Sequence, residues 1–362
     1  MLKNFQLMVK LMDRLFWVMA ILVGIIMMLT NSLNAQRIKV EANETTKTVD
    51  ISFDNQPFTS FFNPGEDILK KPVLYPLRTS KGTIITRGWP IDPRPGERVD
   101  HPHHVGMWLN YEDVNGFDYW NNSTAISEEK RVAKYGTIRQ LELVEMKSGS
   151  NKGSFKVRGE WVSADGHGET TLLETTEYIF SGKGDQRIID RITTLRADRE
   201  VIFKDVKDGM FAIRVARELE GPSTKPEIFT DASGIETKVP TLNNEGITGN
   251  YRSSEGLEGE KVWGTKGRWV NLSGKFKDED VSLAIIDHPK NIGYPTYWHA
   301  RTYGLFAANP LGDFVFSNGK TSTNLKLNKG ESVTFRYRTV ITSRKVSDDE
   351  INKLAKEFSK VK

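Results

Sequence analysis

Hydrophobic and polar residues alternate along most of this chain. From Ser154 to Val162 the apolar positions Phe155, Val157 and Trp161 fall on one face. From Ser332 to Thr342, Val333, Phe335, Tyr337 and Ile341 share a face, with Arg336 and Arg338 on the other. Thr170 to Phe180, Val201 to Val206 and Ser282 to Ile286 follow the same rule. A period of two places successive side chains on opposite sides of a strand. Many such strands, turn residues between them and no alternation with helices predict an all-β chain, a large antiparallel β-sandwich. Gly149 to Gly153 and Asn243 to Gly259 carry the strongest loop signals. One helix is predicted, at the C-terminus. Ser347 and Glu350 form a capping box, Asp348 and Asp349 suit the positive helix end, and Ile351, Leu354 and Phe358 make an apolar stripe.

The N-terminal segment breaks this pattern. Lys3, Lys10 and Arg14 precede an apolar run from Leu15 to Leu29 and a short polar stretch ending in Ala35. That order is the order of a secretory signal peptide, with cleavage expected after Ala35. The expectation is a signal over residues 1–35, one β-sandwich domain over 36–362, a periplasmic or secreted protein, and no stable membrane insertion after cleavage. The chain has no cysteine, so thiolate chemistry and disulfides are excluded. Of the net charge of +4, Lys3, Lys10 and Arg14 against Asp13 account for +2. The remainder is nearly balanced, and nucleic acid is not an expected partner.

Five of the six histidines lie in two aromatic-rich segments, Asp100 to Trp108 and Asp287 to Arg301. Histidine titrates nearest neutrality and serves as acid, base or metal ligand. The stretch from Arg87 to Asn122 interleaves Trp89, Trp108, Tyr111, Phe117, Tyr119 and Trp120 with Arg, Asp, Asn and His. Aromatic faces stack on sugar rings, and planar polar groups pair with hydroxyls, so the composition predicts a carbohydrate pocket. One of His103, His104 and His299 is expected to be the general acid or base, with His288 or Asp287 orienting or assisting it. Arg87 and Arg301 are expected to bind anionic or hydroxyl-rich groups, and Trp108 and Trp298 to form a stacking platform. His101, Asn110 and Asn309 complete the expected substrate-binding set. Asp208-Gly209 is a turn signal, so Asp208 is assigned to structure, while Asp205 stays open. Glu174 and Glu177 are taken as the polar face of a strand.

Tyr75-Pro76-Leu77-Arg78, Thr86-Arg87-Gly88-Trp89-Pro90, Asp100 to Trp108, Asp287-His288-Pro289 and Tyr294 to Gly312 resemble the PmoA-like family, whose members carry a methane-oxygenase label. The label is not an activity here, because the methane monooxygenase subunit of that name is an integral membrane protein. The resemblance implies carbohydrate work in bacteria that degrade plant or algal glycans. It implies no catalytic residues. The predicted sandwich also suits galactose-mutarotase-like sandwiches, an analogy of fold alone.

The resulting expectation is acid–base chemistry, by hydrolysis, elimination or epimerisation, on a glycoside or sugar derivative. A retaining hydrolase presents two carboxylates about 5 Å apart. The sequence marks no such pair, which favours histidine chemistry. A non-catalytic glycan-binding protein and a metal enzyme are the alternatives. No cofactor is expected. A divalent metal, if one is bound, would use His101, His103, His288 or His299.

Overall fold

The computed structural model describes residues 36–361. The signal-peptide expectation falls on residues 1–35, outside the described part. Two antiparallel sheets make the body. The nine-stranded sheet runs, edge to edge, through Tyr297–Arg301, Leu305–Asn309, Gly209–Arg214, Met107–Tyr111, Val73–Leu74, Gln56–Phe62, Thr48–Phe53, Arg37–Asn43 and Gly149–Ser150. The eight-stranded sheet runs through Asn250–Ser253, Trp269–Phe276, Glu279–Asp287, Ser332–Thr342, Arg187–Ala197, Thr170–Ser181, Lys152–Val162 and Thr137–Lys147. The all-β sandwich expected from the alternation is the observed architecture. No helix among the described residues is long and apolar enough to cross a membrane.

The alternating faces meet between the sheets. Phe155, Val157, Trp161, Phe335, Tyr337 and Ile341 of one sheet pack with Ile51, Phe61, Leu109, Phe211, Ile213 and Phe306 of the other in one continuous core. At about 25 cal/mol per Å² of apolar surface removed from water, this burial is the main force holding a chain without disulfides. The back of the eight-stranded sheet is not left to water. Helix Asp348–Phe358 lays Ile351, Leu354 and Phe358 on Ile188, Trp269, Ala284, Ile286 and Val340. Ser347 caps it by accepting the Glu350 N–H, as the sequence predicts. Arg338, expected on a wet face, is buried beneath this helix and pairs with Asp190 at 2.7 Å.

Two loop predictions need correction. Gly149–Ser150 is a strand that pairs with Arg37 and Ile38, and Lys152 already opens the next strand. Asn243 to Gly259 contains the strand Asn250–Ser253. Glycine and asparagine mark turns well, but backbone partners distant in sequence decide pairing. Short helices Glu128–Lys134 and Asp313–Phe316, which the sequence reading passes over, sit in connections.

The outer face of the nine-stranded sheet positions the site. Register sets Trp108 opposite Ala212, Ala212 opposite Ala307, and Ala307 opposite His299. These four share one face, because directly paired residues point the same way. Two alanines therefore separate a tryptophan from a histidine across four neighbouring strands. Their small side chains are wholly buried in a second apolar cluster with Trp108, Trp120 and Leu305. Loops from residues 69–75, 87–105 and 117–122 cover the Trp108 side of this face.

Candidate active site

Arg87 builds the segment that carries three histidines. Its side chain is fully buried, and it donates to the carbonyls of Arg98 at 3.2 Å, Asp100 at 2.8 Å, His101 at 2.9 Å and His104 at 3.0 Å. One guanidinium thus fixes a turn that would otherwise strand its carbonyls away from water. Gly106, at φ +59°, follows the turn where an added Cβ would lie 2.3 Å from the Leu74 carbonyl oxygen. His101 at the apex takes a left-handed φ of 44°.

Asp100 is the electrostatic centre. Its Oδ1 accepts from Arg87 Nη1 at 2.5 Å and from Arg214 Nη2 at 2.6 Å. Its Oδ2 lies 3.2 Å from His101 Nδ1. Burial alone would raise this carboxyl. Arg214, the His101 ring and Arg87 overrule burial and hold it well below the usual carboxylate range. A carboxylate on the Nδ1 side orients the imidazole and leaves its Nε2 edge on the other side. The His101 side chain is 41% exposed, the open member of the triplet. Its ring is parallel to those of His104 at 4.8 Å and Tyr303 at 5.0 Å.

His103 and His104 lie beneath, buried. Burial pushes both imidazoles well below their ordinary range, assisted by Lys71 for His103 and by His103 and Arg214 for His104. Both are neutral at physiological pH. His104 stacks on Trp108 at 5.3 Å, and its Nδ1 faces Arg214 Nη1 at 3.4 Å. The Nε2 atoms of His103 and His104 have no hydrogen-bond partner. His299 approaches from the sheet edge. Burial, then Lys207 and Arg301, lowers it to about 3. Its Nδ1 is 3.3 Å from Asp208 Oδ1 but is misaligned for a hydrogen bond and stays unpaired. Asp208 is raised by burial, with the Lys207, His101 and Arg301 charges opposing.

Three further groups complete the site, and two of them, Lys71 and Trp263, are not marked in the sequence. Lys71 is buried, donates to the His103 carbonyl at 2.7 Å, and lies 5.2 Å above the Trp108 ring. Burial lowers it to about 7, against the attraction of Asp118. Burial, then Asp208 and Asp118, raises Glu112 to about 7. Trp263 is 39% exposed and lines a cavity of about 210 Å³ with Glu260, Ala300, Arg301 and Thr302. Neither Lys71 nor Trp263 has a motif around it; only the fold brings them here.

The two histidine segments meet in part. His299 shares the outer sheet face with Trp108, on which His104 stacks. Asp287 and His288 do not join. They end a strand of the opposite sheet, where Asp287 accepts from the N–H groups of His288 and Thr296 and from Asn291 Nδ2. His288 packs edge-on against Phe358 of the C-terminal helix. Asp287 thus holds its own loop, and His288 is a core residue.

Several expected contact residues lie inside the structure. Trp298 is buried and donates to the Gly267 carbonyl at 3.0 Å. Trp108 is buried under His104 and donates to Asn110 Oδ1 at 2.9 Å, while Asn110 donates to the Tyr119 carbonyl. Asn309 donates to the carbonyls of Val206 and Lys207. Asp205 accepts the backbone N–H groups of Phe314, Thr323 and Asn324. Glu174 is buried with Arg191 at 3.1 Å and Trp161. Asp208 moves the other way, from a turn residue to a member of the site. As to a metal, among the described residues no three His, Asp or Glu side chains are arranged to hold one ion, and His288 is apart from the other expected ligands.

A model of a family of unknown function, DUF6807, matches residues 48–356. The chain belongs to the DUF6807 family. The PmoA-like membership expected from the sequence motifs is thereby corrected, and nothing connects the chain to a methane oxygenase. No curated protein sequence matches the chain. Among solved structures, it is similar to the GH36 alpha-galactosidase AgaB from Geobacillus stearothermophilus, at 10% identity and a TM-score of 0.34 over 84% of this chain. It spans 40% of that enzyme's length. It is also similar to the galactose 1-epimerase from Lactobacillus acidophilus NCFM, at 10% identity and a TM-score of 0.34, over 86% of this chain and 99% of that one.

Proposed function

We propose that this DUF6807 protein is an exported enzyme that performs acid–base chemistry on a saccharide at the outer face of its nine-stranded sheet. The observation that carries the reading is the group of unpartnered ring nitrogens around an exposed, carboxylate-oriented histidine. His103 Nε2, His104 Nε2 and His299 Nδ1 are buried and unpaired, and His101 stands open above His103 and His104. Buried polar atoms are nearly always hydrogen-bonded, so the adjoining unpaired ring nitrogens of His103 and His104 support a built polar site directly beneath the open His101 ring.

His101, oriented by Asp100, takes or gives the proton. Asp208, whose affinity for protons is raised by burial, is the complementary acid or base. The buried rings of His103 and His104 pack beneath His101 and hold its ring in place. Trp263 offers the exposed aromatic face that a sugar ring stacks on. The basic start, apolar run and absence of cysteine support export to the periplasm or beyond.

The test is turnover of a panel of glycosides by wild type and by His101→Asn. Asparagine tolerates the left-handed backbone at this position, so loss of chemistry is separated from misfolding. A loss of about 10²–10⁴-fold supports the reading. Saccharide binding without turnover in the wild type would replace the enzyme with a glycan-binding protein.

A further inference from the structure

Arg301 differs from the other arginines under this face. Arg87 and Arg214 pair with Asp100, while Arg98 and Arg217 pair with Glu220. Their charges are balanced inside the protein. Arg301 has no ion pair and no side-chain hydrogen bond among the described residues. Its guanidinium lies against two rings, 5.4 Å from Trp263 and 5.8 Å from Tyr303. It lines the cavity of about 210 Å³ that also exposes Trp263 and Thr302. Cation–π contacts hold the guanidinium plane in place while leaving its N–H edge without protein acceptors. A planar fork fixed beside an open cavity recognises a planar or tetrahedral oxyanion.

We propose that Arg301 is the acid-group subsite, and that the substrate is an acidic saccharide bearing a carboxylate or sulfate on the sugar that stacks on Trp263. This deepens the saccharide reading above and rests on it. Lys207, the other nearby cation, is paired with Asp208 at 3.5 Å, which leaves Arg301 as the unpaired cation of this cavity among the described residues. Glu260 lines the same cavity without pairing to Arg301. Its carboxylate disfavours a second anionic group there, so the inference assigns one acidic group per bound sugar.

The test is calorimetric titration of the folded wild type, Arg301→Gln and Arg301→Lys with three probes: galactotriose, tri-galacturonate and a sulfated galactobiose. Tri-galacturonate or the sulfated sugar should bind the wild type more tightly than galactotriose. Arg301→Gln should lose about tenfold to a hundredfold of that affinity, with Arg301→Lys in between and a distinctly smaller loss for galactotriose. Whichever acidic probe shows the larger loss identifies the oxyanion. Equal binding of neutral and acidic probes, or acidic binding indifferent to Arg301→Gln, overturns this inference and leaves the saccharide reading standing. Binding of galactotriose alone does the same. Binding of none of the three by the wild type overturns both. Unchanged melting temperatures establish that the variants are folded.

Discussion

Replacing Asp100 with asparagine removes a charge on which two buried guanidiniums depend. Arg87 and Arg214 are 1% and 0% exposed at their side chains, and both reach the same carboxylate oxygen. Asparagine keeps the size and one acceptor oxygen but is neutral, so both cations lose their close counter-charge. Only Glu220, at 3.9 Å from Arg214, partly replaces it. Breaking a buried pair from one side destabilises by about 3–5 kcal/mol. The residual 18% exposure of Asp100 and the help of Glu220 place the expected loss near the lower end, about 3 kcal/mol. At roughly 2–4 °C per kcal/mol, this lowers the melting temperature by about 6–12 °C. Urea unfolding of wild type and Asp100→Asn at pH 7 measures it directly. The pH dependence has a definite sign. A carboxyl held low in the folded state contributes stability above the unfolded value, near 3.9, and loses it as pH falls further. The gap between the two proteins should therefore hold from pH 5 to 7 and shrink below about pH 4. A gap under about 1 kcal/mol at pH 7, or one that widens in acid, would refute the argument that Asp100 anchors the site.

Other predictions follow from the same geometry. Lys71 is about 7 in the fold against roughly 10.4 when unfolded, so the unfolded chain binds the extra proton between those values. Stability should rise by about 1.4 kcal/mol per pH unit across pH 7 to 9 through this group; Lys71→Met should abolish that slope, read from urea midpoints at each pH. Trp263→Ala should weaken saccharide binding by about 1–2 kcal/mol in calorimetry and leave thermal stability within about 0.5 kcal/mol, because the ring is half open. Trp298→Ala should behave oppositely, destabilising by about 3–5 kcal/mol in denaturant, because its ring is wholly inside the core. Ala212→Leu should cost about 1–3 kcal/mol in urea unfolding by overpacking the buried layer between Trp108 and Ala307.

The strands and the C-terminal helix were legible because period-two and period-3.6 patterns report which face is buried, and Ser347 and Glu350 cap as their spacing predicts. The site was legible in composition and obscure in assignment. A cluster of Trp, His, Asn and Arg signals a polar-aromatic pocket, but the residue type does not say which members are open. Trp108, Asn110, Trp298 and Asn309 have the chemistry of sugar contacts and are buried inside the structure. Trp263, far in sequence from either histidine segment, reaches the surface beside Arg301. Asp287 and His288 sit eleven or so residues before His299, yet a change of sheet separates them, and local spacing carries no trace of that crossover. Lys71 is invisible for a related reason: its shifted proton affinity comes from burial under a loop that folds over it.

Turnover of a glycoside panel by wild type against His101→Asn, followed as a function of pH, tests the central claim most directly. The account predicts activity in the wild type and a loss of about 10²–10⁴-fold in a variant that melts with the wild type. Wild-type turnover that survives intact in His101→Asn would contradict it.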